Sequence, residues 1–140
     1  MDRTARTSRT AMVRAQRGSV STELVIVTPV LLLLVMVVVQ FALWEHAQHI
    51  AEAAAQRGAE TARVENGSDA QGAATARAAV TELGGSLLVD ATVSVVRNGD
   101  IVTATVSGSA EGLVPFLSLP VRATAVGPVE HFVAPAAGGP

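Results

Sequence analysis

Residues 17–44, RGSVSTELVIVTPVLLLLVMVVVQFALW, decide the fold. Between Glu23 and Glu45 no charge occurs, so Leu24 to Trp44 gives 21 uncharged positions in a row. As an α-helix that run is ~31 Å long at ~1.5 Å per residue, which matches a hydrocarbon core. The apolar part of a secretory signal is shorter, ~7–15 residues, so the run reads as an anchor. Trp44 falls where an amphipathic ring sits at a membrane interface. Pro29 reads as an ordinary membrane-helix proline. Glu23 is the anomaly, a carboxylate one residue outside the apolar run.

Charge is divided along the chain. Residues 1–18 carry Arg3, Arg6, Arg9, Arg14 and Arg17 against Asp2, a net of +4, and the remainder is net −6. Five arginines beside a membrane segment fit a cytoplasmic flank, which places the C-terminal portion on the extracytoplasmic side. No aromatic-rich basic face is built, so no nucleic-acid partner is expected. Absence of cysteine removes disulfides and thiolate chemistry. With no nucleophile elbow and no Gly-rich phosphate loop, neither enzymatic activity nor a cofactor is expected. His46 and His49, near Glu45 and Glu52, lack the HExxH spacing and read as solvated side chains, with no metal expected.

Beyond the apolar run the helical period continues. Ala47, Ile50, Ala51, Ala54, Gly58 and Ala62 fall on one side, while Gln48, Glu52, Gln56, Glu60 and Arg63 fall elsewhere. The stripe is almost all small residues, which permits close approach by another helix, including self-association. NGSD at 66–69 breaks the chain, Asp69 is suited to cap a second helix, and Gly84-Gly85 stops it. After Gly85 the period becomes two. An Asn98-Gly99 hairpin loop pairs Arg97 with Asp100, Val95 with Val102, Val93 with Ala104 and Ala91 with Val106, leaving Ser94, Thr103, Thr92 and Thr105 as a polar ladder. Val121, Ala123 and Ala125 alternate with Arg122 and Thr124 as a third strand. The segment EGLVPFLSLP (111–120) either covers the sheet or touches the membrane surface. The expected fold is α+β. A long N-terminal transmembrane helix continues into an extracytoplasmic domain with a short second helix and a three- to four-stranded antiparallel sheet, pilin-like in layout. The expected divisions are a basic leader at 1–18, a transmembrane helix at 19–44, the extracytoplasmic domain at 45–130 and a disordered tail at 131–140. Residues 1–18 are expected to lack order as well.

A cut after Gly18 makes Ser19 a new N-terminus and Glu23 the fifth mature residue. The α-ammonium so created can pair with a carboxylate of an assembling membrane helix, whereas the plainer reading has Glu23 favouring the helix start through the macrodipole. The pattern G-x-x-x-x-E before an apolar helix, followed by AAAQRGAETAR, resembles the TadE-like pseudopilins of tight-adherence pilus systems. The resemblance implies processing by a prepilin peptidase at Gly18 and Ser19. It also implies an assembly role for the Glu23 charge, and pilin and assembly-platform subunits as partners. Major pilins of such systems are shorter and lack a sheet domain, so the resemblance is to an accessory subunit. Two other readings stand beside it. One is a signal-anchored envelope protein with a partner-binding domain. The other is a secreted protein cut near Ala51, Ala53 and Ala55.

Overall fold

The computed structural model describes residues 7–114 and 117–130, with side chains from Leu24 onward. The order is α1 (Thr7–Arg63), α2 (Asp69–Gly84), β1 (Leu88–Asn98), β2 (Ile101–Ala110) and β3 (Leu119–Pro128). The strands form one antiparallel sheet in the order β1-β2-β3. This is the expected α+β arrangement, with three strands. The chain divides into two compact units, Met1–Val39 and Gln40–Pro140, and α1 contributes to both. The expected lack of order over 1–18 is corrected from Thr7 onward, where the backbone is helical. Residues 7–17 contain neither Pro nor Gly and include several strong helix formers, so nothing local interrupts α1 there. Residues 131–140, the expected disordered tail, lie outside the described residues.

In the second unit the small-residue stripe of α1 is buried as a set: Ala47, Ile50, Ala51, Ala54, Gly58 and Ala62. It does receive another helix, and that helix is α2 of the same chain. A Cβ built at Gly58 would lie 2.8 Å from the Ala76 Cβ, and one at Gly72 would lie 2.6 Å from the Gly58 carbonyl oxygen. Both glycines permit a backbone approach that any larger residue blocks. Val95 of β1 closes the crossing, its Cγ1 3.2 Å from a Cβ built at Gly72. Self-association through this face is therefore corrected: its surface is consumed within the chain. The two helices share one core with Leu88, Val106, Val121 and Ala123 of the sheet. A second cluster joins Ala59, Ala62 and Ala73 to Val95, Val102 and Ala104.

The helix α2 begins at an N-cap that the sequence reading misplaced by one residue. Ser68 is the cap, and it forms a capping box with Gln71, while Asp69 lies in the first turn. At the end of α1 the carbonyls that lack intrahelical partners are met from three directions. Arg97 Nη2 donates to the carbonyls of Ala62 and Val64, Gly67 N–H to Val64 and Glu130 N–H to Arg63. A guanidinium there also meets the negative end of the helix dipole.

The hairpin register is corrected by two residues. Asn98 pairs with Ile101, Arg97 with Val102, Val95 with Ala104 and Val93 with Val106. Gly99, at φ 61°, therefore occupies the first loop position, and Asp100 is not among the residues at positive φ. That is the type II′ pattern, which wants Gly first, whereas a loop of Asn98 and Gly99 demands positive φ at both. A shift of two leaves each residue on its own face. Val93, Val95, Val102, Ala104 and Val106 remain inward, and Ser94, Thr105 and Thr124 still line up outward, with 3.3 Å between the two threonine hydroxyls. Arg97 belongs to the inward set, which is how it reaches the end of α1. Ala91 does not face Val106, because the register slips between Val89 and Thr92, where Asp90 takes φ 54°. Such a bulge exchanges the faces, so Leu88 points inward and Ala91 is exposed. In β3, Val121 and Ala123 are buried and Arg122 and Thr124 exposed, as the alternation predicts.

Candidate membrane and processing segment

From Leu24 to Val39 every large apolar side chain is between 41% and 71% exposed. Among the described residues no tertiary partner removes this surface from water, and an apolar surrounding would do so. Thr28 does not break the pattern, because its hydroxyl donates to the Leu24 carbonyl at 2.7 Å within the helix. The helix passes through Pro29. Among the described residues, α1 is the one helix long and apolar enough to cross a membrane. A single-pass anchor is compatible with this.

Gly18, Ser19 and Glu23 lie on the helical backbone of α1, and their side chains lie outside the described residues. What the structure adds is the other end of the segment. Gln40 is 1% exposed. Its Oε1 accepts from the N–H of Leu113 at 2.7 Å and of Val114 at 3.4 Å, and its Nε2 donates to the Glu111 carbonyl at 3.3 Å. One carboxamide thus fixes the start of the β2–β3 connection to α1. The sequence reading passed over Gln40 as one uncharged residue among 21. The available signal was its amide, a polar group in an apolar run that needs a partner.

The Trp44 indole N–H donates to the Pro120 carbonyl at 3.0 Å, and its ring centroid lies 5.5 Å from that of Phe41. One turn further on, Gln48 Nε2 donates to the Arg122 carbonyl at 2.9 Å. Side chains of α1 spaced by four residues thereby occupy alternate carbonyls of the edge strand β3, which covers part of an otherwise open edge. His49 stands 3.2 Å from Glu45 and 3.7 Å from Glu52 on an exposed face. Among the described residues no group of three or more His, Asp or Glu side chains is placed to hold a metal ion.

A family model described as TadE-like protein matches residues 18–60. Over that stretch the chain is similar to TadE-like proteins. The match begins at the Gly of the G-x-x-x-x-E pattern and ends inside α1, so it takes in the exposed apolar stretch and most of the small-residue stripe. The TadE-like family belongs to the setting of tight-adherence pilus components, in membrane-associated pilus assembly. No curated protein and no solved structure matches the chain.

Proposed function

We propose that this TadE-like chain is a minor pseudopilin or membrane adaptor in assembly of a tight-adherence pilus or related secretion system. The observation that carries the reading is the coincidence of the TadE-like match with the processing pattern. The match starts at Gly18, sets Glu23 as the fifth residue after it, and continues into a helix whose apolar surface is exposed from Leu24 to Val39. A prepilin peptidase cuts between Gly18 and Ser19 at the cytoplasmic face. The basic leader remains inside, and the sheet domain is displayed on the extracytoplasmic side. Pilin and platform subunits are the partners, met through the apolar helix and the exposed surface of the domain. A carboxylate at the centre of a bilayer costs about 2.5–3.5 kcal/mol on insertion scales, and less near an interface. Pairing with the α-ammonium of an adjacent mature subunit offsets that cost only when the subunits are in register.

Intact mass of the chain recovered from membranes tests processing. A mature protein starting at Ser19 is expected, and Gly18→Val should leave an uncut chain with its leader arginines. An uncut wild-type chain would favour the signal-anchored reading. The secreted reading loses support, because a cut near Ala51, Ala53 and Ala55 would remove Gln40, Trp44, Ala47 and Ile50 from the domain they pack into or bond. Glu23→Gln separates processing from assembly: cleavage should persist while pilus output falls, and Glu23→Asp should restore output. Normal output from Glu23→Gln at normal protein level would reduce the carboxylate to a helix-start residue.

A further inference from the structure

The chain holds two Asn-Gly pairs, Asn66-Gly67 and Asn98-Gly99, and both asparagines are exposed. In such a pair the backbone nitrogen of the second residue can attack the asparagine side-chain carbonyl carbon, because glycine puts no Cβ in the way. The two pairs hold the same atoms in opposite states. Gly67 N–H donates to the Val64 carbonyl at 2.9 Å. A Cβ built at Gly67 would stand 2.6 Å from the Thr61 carbonyl oxygen and 2.9 Å from that of Ala62, so this peptide is wedged against the last turn of α1. Asn66, at φ 65°, belongs to the same turn. The Gly67 nitrogen cannot swing toward the Asn66 side chain without giving up a bond that closes the helix end.

Gly99 carries none of these constraints. Outside its chain neighbours no atom lies within 4 Å of a Cβ built there, and among the described residues its N–H has no hydrogen-bond partner. As the first residue of the loop it stands outside the ladder, whose last rung is Asn98–Ile101. Rotation of the Asn98–Gly99 peptide therefore disturbs one terminal rung, the kind that opens first. We propose that Asn98 is a site of spontaneous deamidation through a succinimide, and that the fold shields Asn66 from the same reaction. The Gly99 nitrogen gives its proton to hydroxide and bonds to Asn98 Cγ. The carboxamide C–N bond breaks, and the amino group leaves as ammonia with a proton from water, which regenerates hydroxide. Water then opens the ring at either carbonyl, giving aspartate or isoaspartate with no change of oxidation state. Either product sets a carboxylate beside Asp100, and the iso product also routes the main chain through the side-chain methylene. That extra backbone atom disrupts the spacing of Asn98 and Ile101 on which the tight loop depends.

The second Asn-Gly pair serves as an internal reference. The full chain in detergent is moved into water enriched in heavy oxygen at mildly alkaline pH, sampled over days, and digested with pepsin in acid. Each deamidation after the transfer carries one heavy oxygen, so mass spectrometry of the peptides counts only new product at each asparagine. A parallel sample in guanidinium chloride gives the rates of the unfolded chain. In the folded chain Asn98 should gain label several-fold faster than Asn66, whereas in denaturant the two rates should be close. Isoaspartate should appear among the products at Asn98, since direct hydrolysis of the side-chain amide gives aspartate alone. Asn98→Gln, whose longer side chain would have to close a larger ring, should abolish labelling there and leave Asn66 as it was. Labelling of Asn66 as fast as that of Asn98 in the folded chain overturns the proposal, and so does label at Asn98 without isoaspartate. A difference that persists undiminished in denaturant overturns it too, because neighbouring residues and not the fold would then set the rates.

Discussion

Replacing Gly72 by Ala sets two effects of opposite sign against each other. Glycine in a helix interior is about 0.8–1 kcal/mol less favourable than alanine, so propensity alone makes Gly72→Ala stabilising. Packing says otherwise. The added methyl would stand 2.6 Å from the Gly58 carbonyl oxygen and 2.8 Å from the Ala62 Cβ. Neither atom is the end of a flexible side chain. Reaching ordinary contact at 3.4 Å requires the two helices to separate locally by about 0.8 Å, loosening the alanines around the crossing. Overpacking of this kind costs about 1–3 kcal/mol. With rigid neighbours on two sides we expect the upper part of that range, and a net loss near ~2 kcal/mol after the propensity gain. For a unit of this size that lowers Tm by roughly 8–16 °C. Thermal unfolding of the full chain in detergent, followed by circular dichroism, measures it. Ala78→Gly, at an exposed position of the same helix, serves as the reference and should cost ~1 kcal/mol through propensity alone. Both substitutions should lower Tm, although their chemistry is opposite. A Tm for Gly72→Ala equal to or above wild type would refute the close crossing.

Two further substitutions test the polar contacts. Gln40→Leu keeps side-chain bulk but strips the partners from Glu111, Leu113 and Val114. It should cost about 2–3 kcal/mol and speed amide exchange at Leu113 well before global unfolding, and unchanged protection at Leu113 would refute the fixing role. Arg97→Met keeps the apolar stem while removing the donors to Ala62 and Val64. Because Arg97 Nε is buried without a hydrogen-bond partner among the described residues, part of the guanidinium's desolvation is not offset. The net loss should therefore be only about 1 kcal/mol, read as a lower urea midpoint at unchanged slope, and a loss above ~3 kcal/mol would contradict this.

Periodicity made the elements legible. The uncharged run, the small-residue stripe and the alternation in β3 each follow from one repeated spacing, and each is present. In the hairpin the same logic succeeded for faces and failed for register. A shift of two residues preserves every inward position, so the pattern of valines does not distinguish one pairing from the other. The choice rests on backbone angles at Gly99 and Asp100, to which side-chain alternation is blind. Asp90 was hidden for a related reason: nothing in VDATV announces that an aspartate leaves the strand conformation and exchanges the faces. Gln40 required a long-range partner, and its three bonds reach 71 or more residues along the chain. The expectation of processing at Gly18 and Ser19, and of an assembly role for Glu23, rests on a linear pattern that needs no tertiary contact to be read.

The extent of the TadE-like match has a physical counterpart in what each part of the chain demands of its residues. In α1 one helix meets two surroundings in succession. Residues 24–39 need large apolar side chains on all sides, and residues 47–62 need small ones on the side that α2 and the sheet cover. Phe in place of Ala51, or Ala in place of most of Leu31 to Leu34, fails one of these conditions. The sheet asks for less. Apart from Arg97 its inward positions are filled largely by Val, Ala and Leu, its outward positions largely by Ser, Thr and Arg, and many exchanges within each set keep the faces intact. A match that follows α1 from Gly18 to Glu60 and stops before α2 and the strands fits that division. The exposed apolar stretch and the TadE-like match therefore both lie within α1. The sheet domain, outside the match, leaves Val96, Ile101 and Val126 at 43%, 52% and 65% exposure on its outer surface.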